Sequence, residues 1–134
     1  MRFLARREYS RAEMHNKLLP HVQEGDDLDA VLDELVTRGW LSDVRATTQL
    51  VHAKRNRFGT QRIAHELRQK GIPEDLITEA MPELRESELE TARDVWQRKF
   101  GILPREAKEK GKQIRFLQSR GFSIDVIFKV LSLS

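Results

Sequence analysis

The sequence contains no cysteine among its 134 residues, so neither a disulfide framework nor a thiolate metal site is possible. No apolar run approaches the roughly 20 residues that a membrane-spanning helix needs. The opening residues, "MRFLARREYS", also lack the apolar stretch of a signal peptide. These absences predict a soluble protein of the reducing cytoplasm, with no membrane partner.

Apolar residues are not much more abundant than charged ones, at 39% against 34% of the chain. A lean core and a highly charged surface are therefore expected. The net charge is only +3, but the charges are grouped in blocks. Residues 50–72 hold six cations and one anion, residues 74–90 hold one cation and seven anions, and residues 93–120 hold nine cations and three anions.

Two segments that lie fifty positions apart share one apolar pattern, "ELRQKGIPEDLITEAM" at 66–81 and "FLQSRGFSIDVIFKVL" at 116–131. A third copy, "KLLPHVQEGDDLDAVL" at 17–32, follows the same pattern at a spacing of 49 residues. Apolar and glycine positions agree between copies, whereas surface positions do not, which indicates a shared packing frame. In the two later copies the matched pairs include Leu67 and Leu117, Gly71 and Gly121, Ile77 and Ile127, and Met81 and Leu131.

Each copy is predicted to be helical, because its apolar residues recur at spacings of three and four and no run alternates as a strand would. The segment "SRAE" at 10–13 is a capping-box pattern at a helix start. Pro104 is expected to begin a helix and Ser123 to cap one. The pattern of a left-handed glycine that ends a helix occurs at Gly39, Gly71 and Gly121.

The predicted fold is all-α, with three tandem three-helix-bundle repeats stacked into an elongated, curved array. The repeats are expected to span residues 1–41, 42–85 and 86–134. Their helices are predicted over residues 1–8, 10–20, 27–38, 43–57, 60–70, 74–84, 87–100, 104–120 and 124–132.

Sites for catalysis or metal binding are not predicted. The four histidines, at positions 15, 21, 52 and 65, form no pair at a metal-ligand spacing and are expected on the surface. Gly111 and Lys112 resemble part of a phosphate loop, yet Glu106 and Gln113 occupy positions where that motif needs Gly and Ser or Thr. We therefore expect no enzyme activity, no cofactor and no metal.

The cationic blocks are the strongest functional signal, although a charged helix face is often only a solvated one. Cations recur at spacings of three and four along the helix predicted over 104–120, which places them in one outward strip. The opposite side of that helix is predicted to be a core stripe of Ala107, Gly111, Ile114 and Leu117. The candidate binding residues are Lys54, Arg55, Arg57, Arg62, His65 and Arg68 in the second unit, and Arg105, Lys108, Lys112 and Arg115 in the third. Such surfaces suit phosphates or an acidic protein groove.

Sequence-specific recognition of DNA by a helix-turn-helix is not expected. The third helix, which would enter the major groove, is acidic in the first two units, and the DNA phosphates would repel it. If DNA binds, it should contact the second helices through its phosphates. Among the aromatic residues, Phe116 lies off the core stripe. It either stacks on a base, anchors a partner or, as we prefer, packs against the neighbouring unit. Trp40 and Trp96 are expected to fill junctions between helices.

The chain resembles the RecX family of recombination regulators over residues 3–131. The resemblance rests on "LARREYSRAEMHNKL" at 4–18, "VLDELVTRGWLSD" at 31–43, "RFGTQRIAHELRQKGI" at 57–72 and "IRFLQSRGFSIDVI" at 114–127. It implies three tandem three-helix repeats that bind in the groove of the RecA filament and inhibit its ATPase and strand exchange, without catalysis. Departures from the family pattern are Ser42 at an acidic position, Ala46 at an aromatic position, and a start inside the first helix without the longer leader of some relatives.

The sequence thus predicts a cytoplasmic, monomeric modulator of RecA that acts by occupying the filament groove. The rival hypothesis is a helical module that binds single- or double-stranded DNA through phosphates without sequence specificity. A third hypothesis is a scaffold protein that neither regulates RecA nor binds DNA.

Overall fold

The computed structural model describes residues 7–133 and contains no strand within that range, so the all-α prediction is confirmed. The predicted helix over residues 1–8 lies largely outside the described residues, and its last two residues, Arg7 and Glu8, are not helical. A single 3₁₀ turn, Leu19–His21, follows the first helix. The helices are α1 (Arg11–Leu18), α2 (Leu28–Thr37), α3 (Asp43–Lys54), α4 (Thr60–Gln69), α5 (Glu74–Lys99), α6 (Ala107–Ser119) and α7 (Ile124–Leu133).

The predicted helix ends are largely confirmed. The Ser10 hydroxyl accepts from the Glu13 backbone N–H while the Glu13 carboxylate accepts from the Ser10 N–H, which is a complete capping box. Ser123 caps α7, with its Oγ 3.3 Å from the Val126 nitrogen. The three glycines expected to end helices all have left-handed φ angles: 77° at Gly39, 74° at Gly71 and 91° at Gly121.

The break predicted between residues 84 and 87 is wrong, because α5 runs through it as one helix of 26 residues, about 39 Å long. No glycine stands between residues 74 and 99, and the residues around the expected break include strong helix formers, Leu84, Arg85 and Glu86. Pro82 lies inside α5 and lacks the N–H that would continue the hydrogen-bond ladder. The helix continues nonetheless because its apolar side is buried on both sides of Pro82. The boundary predicted between residues 85 and 86 therefore falls inside a helix, and the division into repeats at that point stays a prediction.

Two apolar cores are built on the two halves of α5. Its first half packs with α3 and α4 around Ile63, Leu67 and Ile77. Its second half packs with α6 and α7 around Trp96, Leu117 and Ile127. Because one helix supplies residues to both cores, the second and third units share a single rigid element.

The first unit has a much thinner core than the other two. Leu32 is its one buried residue on α2, and α1 buries none. Trp40, which was expected to fill a junction, is instead 69% exposed with the Arg38 guanidinium 5.7 Å from its ring centroid. That prediction was wrong because the chain turns at Gly39 and directs Leu41, rather than Trp40, into the interior.

Trp96 is buried as predicted, and it organises the long connection between α5 and α6. Its indole Nε1 donates to the Gln113 Oε1 at 2.8 Å, and the Gln113 Nε2 donates to the Ile102 carbonyl at 3.1 Å. Gln113 is itself buried, and both ends of its amide are satisfied. Pro104 lies in this connection and does not begin α6, whose N-cap is Glu106.

The second helices of neighbouring units, α1, α4 and α6, meet end to end. At the first joint, the start of α1 lies against the end of α4: the Ser10 hydroxyl donates to the Lys70 carbonyl, and the Lys70 ammonium lies 3.1 Å from the Glu13 carboxylate. Ser10 is completely buried there. Gly71 closes the contact, since a Cβ added to it would overlap the Cβ of Ala12.

At the second joint, the start of α4 lies against the end of α6. The backbone N–H of Gly59 donates to the Arg120 carbonyl at 2.7 Å, and that of Gln61 donates to the Gly121 carbonyl at 3.1 Å. The buried Glu88 carboxylate of α5 accepts from the Thr60 N–H at 3.1 Å. The backbone N–H groups at the start of α4, which have no acceptor within the helix, thus donate to groups of the next unit. The second joint therefore satisfies the hydrogen bonds of the N-terminus of α4.

Candidate partner-binding surface

In the second unit, the basic α4 and the end of α3 face the acidic α5, and most of the candidate cations form ion pairs. Arg55 lies 3.0 Å from the Glu83 carboxylate. Lys54 and Arg62 both reach Glu66, at 3.7 and 2.9 Å. Arg55 and Arg68 thus pair with anions of the block at 74–90, whereas Lys54 and Arg62 share Glu66, the one anion of their own block.

Arg68 makes the most complete of these pairs, with its Nε 2.8 Å and its Nη2 3.2 Å from the two oxygens of Glu74. The side-chain hydrogen bond to Arg68 lowers the pKa of the Glu74 carboxyl, and the same bond raises the pKa of Arg68. Both side chains are solvent exposed, so this pair adds little to stability. The pair does, however, occupy the guanidinium N–H donors of Arg68 that a partner would otherwise bind.

Two candidates in the second unit are not ion-paired within the described residues. Arg57 lies in the turn after α3, with its guanidinium 5.4 Å from the Phe58 ring centroid. His65 is exposed on α4.

In the third unit, all four candidate cations are exposed, and none forms an ion pair within residues 7–133. Lys108, Lys112 and Arg115 follow one another at spacings of four and three, which places them on one face of α6. Arg105 precedes α6 instead of lying on it, because the helix begins at Ala107. We call Arg105, Lys108, Lys112 and Arg115 the α6 strip.

The predicted core stripe of α6 is only partly right. Leu117 is fully buried and Ile114 half-buried, but Ala107 is exposed, and Gln113 takes the buried position instead. Phe116 packs within its own unit, with its ring edge against Phe100 at a centroid distance of 5.5 Å. Phe116 was predicted to pack against the neighbouring unit, whereas this ring contact lies within the third unit.

Three further cations group near Phe116 and Phe58 and were not singled out from the sequence: Arg98, Lys99 and Arg120. They lie inside the cationic block of residues 93–120, but no spacing rule relates them. Only the packing of α5 against α6 brings them together.

The part of the chain that the structure describes offers no sign of a metal centre, since no three of its His, Asp and Glu residues are grouped to hold an ion. None of its helices has the length and apolar character needed to cross a membrane.

Comparisons with known protein families and curated proteins identify relatives of this chain. Family models match the chain in two places: the second three-helix domain of RecX over residues 42–81, and the third over residues 86–131. A regulatory protein RecX from Leptothrix cholodnii is 48% identical, over 100% of this chain and 85% of its own length. One from Chromobacterium violaceum is 45% identical, over 96% of this chain and 84% of its own length.

Solved structures show the same fold at lower identity. The crystal structure of RecX from Lactobacillus salivarius is similar with a TM-score of 0.77 at 19% identity, over 99% of this chain and 92% of that one. A second crystal structure, of a regulatory protein RecX, gives a TM-score of 0.78 at 23% identity, over 96% of this chain and 67% of that one.

Proposed function

Because the chain belongs to the RecX family of regulatory proteins, we propose that it regulates the RecA recombinase by binding along the groove of the RecA–DNA filament. In this proposal it acts as a monomer in the cytoplasm, without a cofactor and without catalysis. It inhibits the ATPase of RecA and thereby its recombination and SOS-linked activities.

The observation that carries the proposal is the α6 strip. Its four cations have no anionic partner among the described residues, so no ion pair in that part of the chain neutralises them. An acidic surface on a partner would supply the missing charge, raising both the association rate and the selectivity for that partner. The ion-paired cations of the second unit have less to gain, because binding would first have to break their pairs.

The proposed mechanism is occupancy of the groove by a stiff body. The long helix α5 and the second joint hold the second and third units in one arrangement. A body that spans neighbouring RecA protomers without bending would resist the relative movement that accompanies nucleotide turnover. Inhibition would then require only binding.

The direct test is the DNA-dependent ATPase of RecA, measured with increasing amounts of the purified protein. We expect turnover to fall to a plateau as the groove fills. Turnover that does not change at saturating protein would reject the proposal.

A pair of double variants tests the role of the α6 strip. Replacing Lys108 and Lys112 by Gln removes two unpaired charges and should raise the concentration for half-inhibition about tenfold. Replacing Arg55 and Arg68 by Gln removes the same charge from ion-paired positions and should raise it less than about threefold. Equal effects of the two double variants would mean that net charge, and not the α6 strip, determines binding.

A further inference from the structure

A cleft of about 260 Å³ opens where the second and third units meet. It lies beside the second joint, between the turn after α3, the end of α5 and the end of α6. Four of the six residues that line it are cations, and none is an acid. The lining residues are Arg57, Val95, Arg98, Lys99, Phe116 and Arg120.

None of these four cations forms an ion pair within the described part of the chain. Arg57 makes only a long hydrogen bond, 3.5 Å, to the carbonyl of Ala53. Asp94 stands one turn before Arg98 on α5, yet the two side chains do not pair. The cleft therefore differs from the rest of the second unit, where neighbouring acids neutralise the cations.

Two aromatic rings contact three of the four cations. The Arg120 guanidinium lies 5.5 Å from the Phe58 centroid and 5.0 Å from the Phe116 centroid. Arg57 shares the first ring, and the Lys99 ammonium lies 5.4 Å from the second. A cation over a ring is held by the quadrupole of the ring and keeps its full charge. The like charges repel one another across the cleft, and a bound anion would relieve that repulsion.

The composition of the cleft favours a phosphate over an acidic protein segment. A protein partner usually anchors through an apolar or aromatic side chain in an open pocket, but here cations already lie over the two rings. Three of the four cations are arginines, whose planar fork binds two phosphate oxygens at once. We propose that this cleft binds the backbone phosphates of a nucleic-acid strand without regard to base sequence.

The proposed phosphate site differs from the surface that the sequence suggested for DNA. That surface was the second helices. Arg120 ends one of them, α6, and Arg57 was a candidate in the sequence, whereas Arg98 and Lys99 lie on α5. The site also goes beyond regulation of RecA, since it should bind DNA when RecA is absent.

The test measures the affinity of the protein for a labelled oligo-dT strand, and for a random-sequence duplex of the same length, as a function of KCl concentration without RecA. Replacing Arg98 and Lys99 by Gln removes two phosphate partners. The slope of log affinity against log salt should then become shallower by about 1.4 for the single strand and about 1.8 for the duplex. Both substituted residues are exposed, so thermal melting should not change. A second double variant, Arg57→Gln with Lys99→Gln, should give the same change in slope.

The matched control replaces Arg85 and Arg93 by Gln, two exposed cations of α5 that do not line the cleft. It removes the same charge and should leave the slope unchanged. The proposal is overturned if the control makes the salt slope as shallow as the cleft variant does. It is also overturned if the unaltered protein binds neither DNA at low salt. It is also overturned if polyglutamate displaces oligo-dT as well as unlabelled oligo-dT does, since the cleft would then be a site for acidic proteins. Inhibition of RecA that persists in the cleft variants leaves the proposed function standing.

Discussion

The two joints of the molecule connect the same structural parts with different chemistry. In each, the start of one second helix meets the left-handed glycine that ends the second helix of the next unit, Gly71 at the first joint and Gly121 at the second. The first joint is closed by side chains: a serine hydroxyl, a lysine and a glutamate. The second is closed by two backbone hydrogen bonds, a buried carboxylate and one exposed hydrogen bond from the Arg62 guanidinium to the Ser119 carbonyl.

This difference indicates how tightly each unit is held. Backbone groups have no rotamer freedom to lose, and salt screens buried hydrogen bonds much less than exposed charges. A lysine and glutamate pair, by contrast, loses side-chain entropy and weakens as the ionic strength rises. The cores differ in the same direction, since the first unit buries few apolar side chains. We therefore expect the second and third units to move as one body and the first unit to be the more easily displaced.

The largest expected effect comes from substituting the glycines of the joints. Gly121→Ala should destabilise the protein by about 3 to 4 kcal/mol, because the new Cβ would be strained at φ 91° and would lie 2.5 Å from the Arg62 backbone nitrogen. Gly71→Ala should cost about 2 kcal/mol, because its Cβ would clash only with the Cβ of Ala12 in the thinner first unit. Urea unfolding followed by circular dichroism measures both.

Gly39→Ala is the control for backbone strain alone. Gly39 has a φ of 77° and nothing within 4 Å of an added Cβ, so the variant should lose only the left-handed cost of about 1 kcal/mol. Equal losses at all three glycines would show that strain dominates and that the joints are not tightly packed.

These glycines also show how far the sequence determines the fold. Each was predicted from a glycine that follows an apolar helical period, and each is left-handed, because that signal is local. The continuity of α5 was missed, since the repeat frame suggested a break where no residue enforces one. Continuity there depends on burial in two cores, which is a tertiary effect.

The candidate site was less predictable than the fold. Pairs such as Arg55 with Glu83 join side chains 28 positions apart on different helices, so the sequence shows the charges but not their neutralisation. Likewise, the cleft assembles Arg57, Arg98 and Arg120 from three elements. Only the α6 strip follows from periodicity, and even there the helix starts three residues later than expected, which leaves Arg105 outside it.

An intermediate effect is expected from Glu88, which connects α5 to the second joint. Glu88→Ala would leave the Thr60 N–H buried without its acceptor and should cost about 1 to 3 kcal/mol. Glu88→Gln keeps an acceptor oxygen and should lose less, as measured by urea unfolding. If the two variants are equally destabilised, the negative charge of Glu88, and not its hydrogen bond, would be what stabilises the joint.

The smallest effect is expected at the first joint and depends on pH. Partial burial raises the pKa of the Glu13 carboxyl, but the Ser10 backbone N–H, the Lys70 ammonium and the Arg7 guanidinium together lower it below its ordinary value of 4.5. A lowered pKa stabilises the joint fully above pH 4.5, and this contribution is lost as the pH falls through the pKa of the folded state. The Gly71 amide signal in NMR spectra should therefore shift with a midpoint below pH 4.5, and Glu13→Gln should abolish that shift. A Gly71 signal that still titrates in Glu13→Gln would assign the acid sensitivity to another carboxylate and remove the main chemical distinction between the two joints.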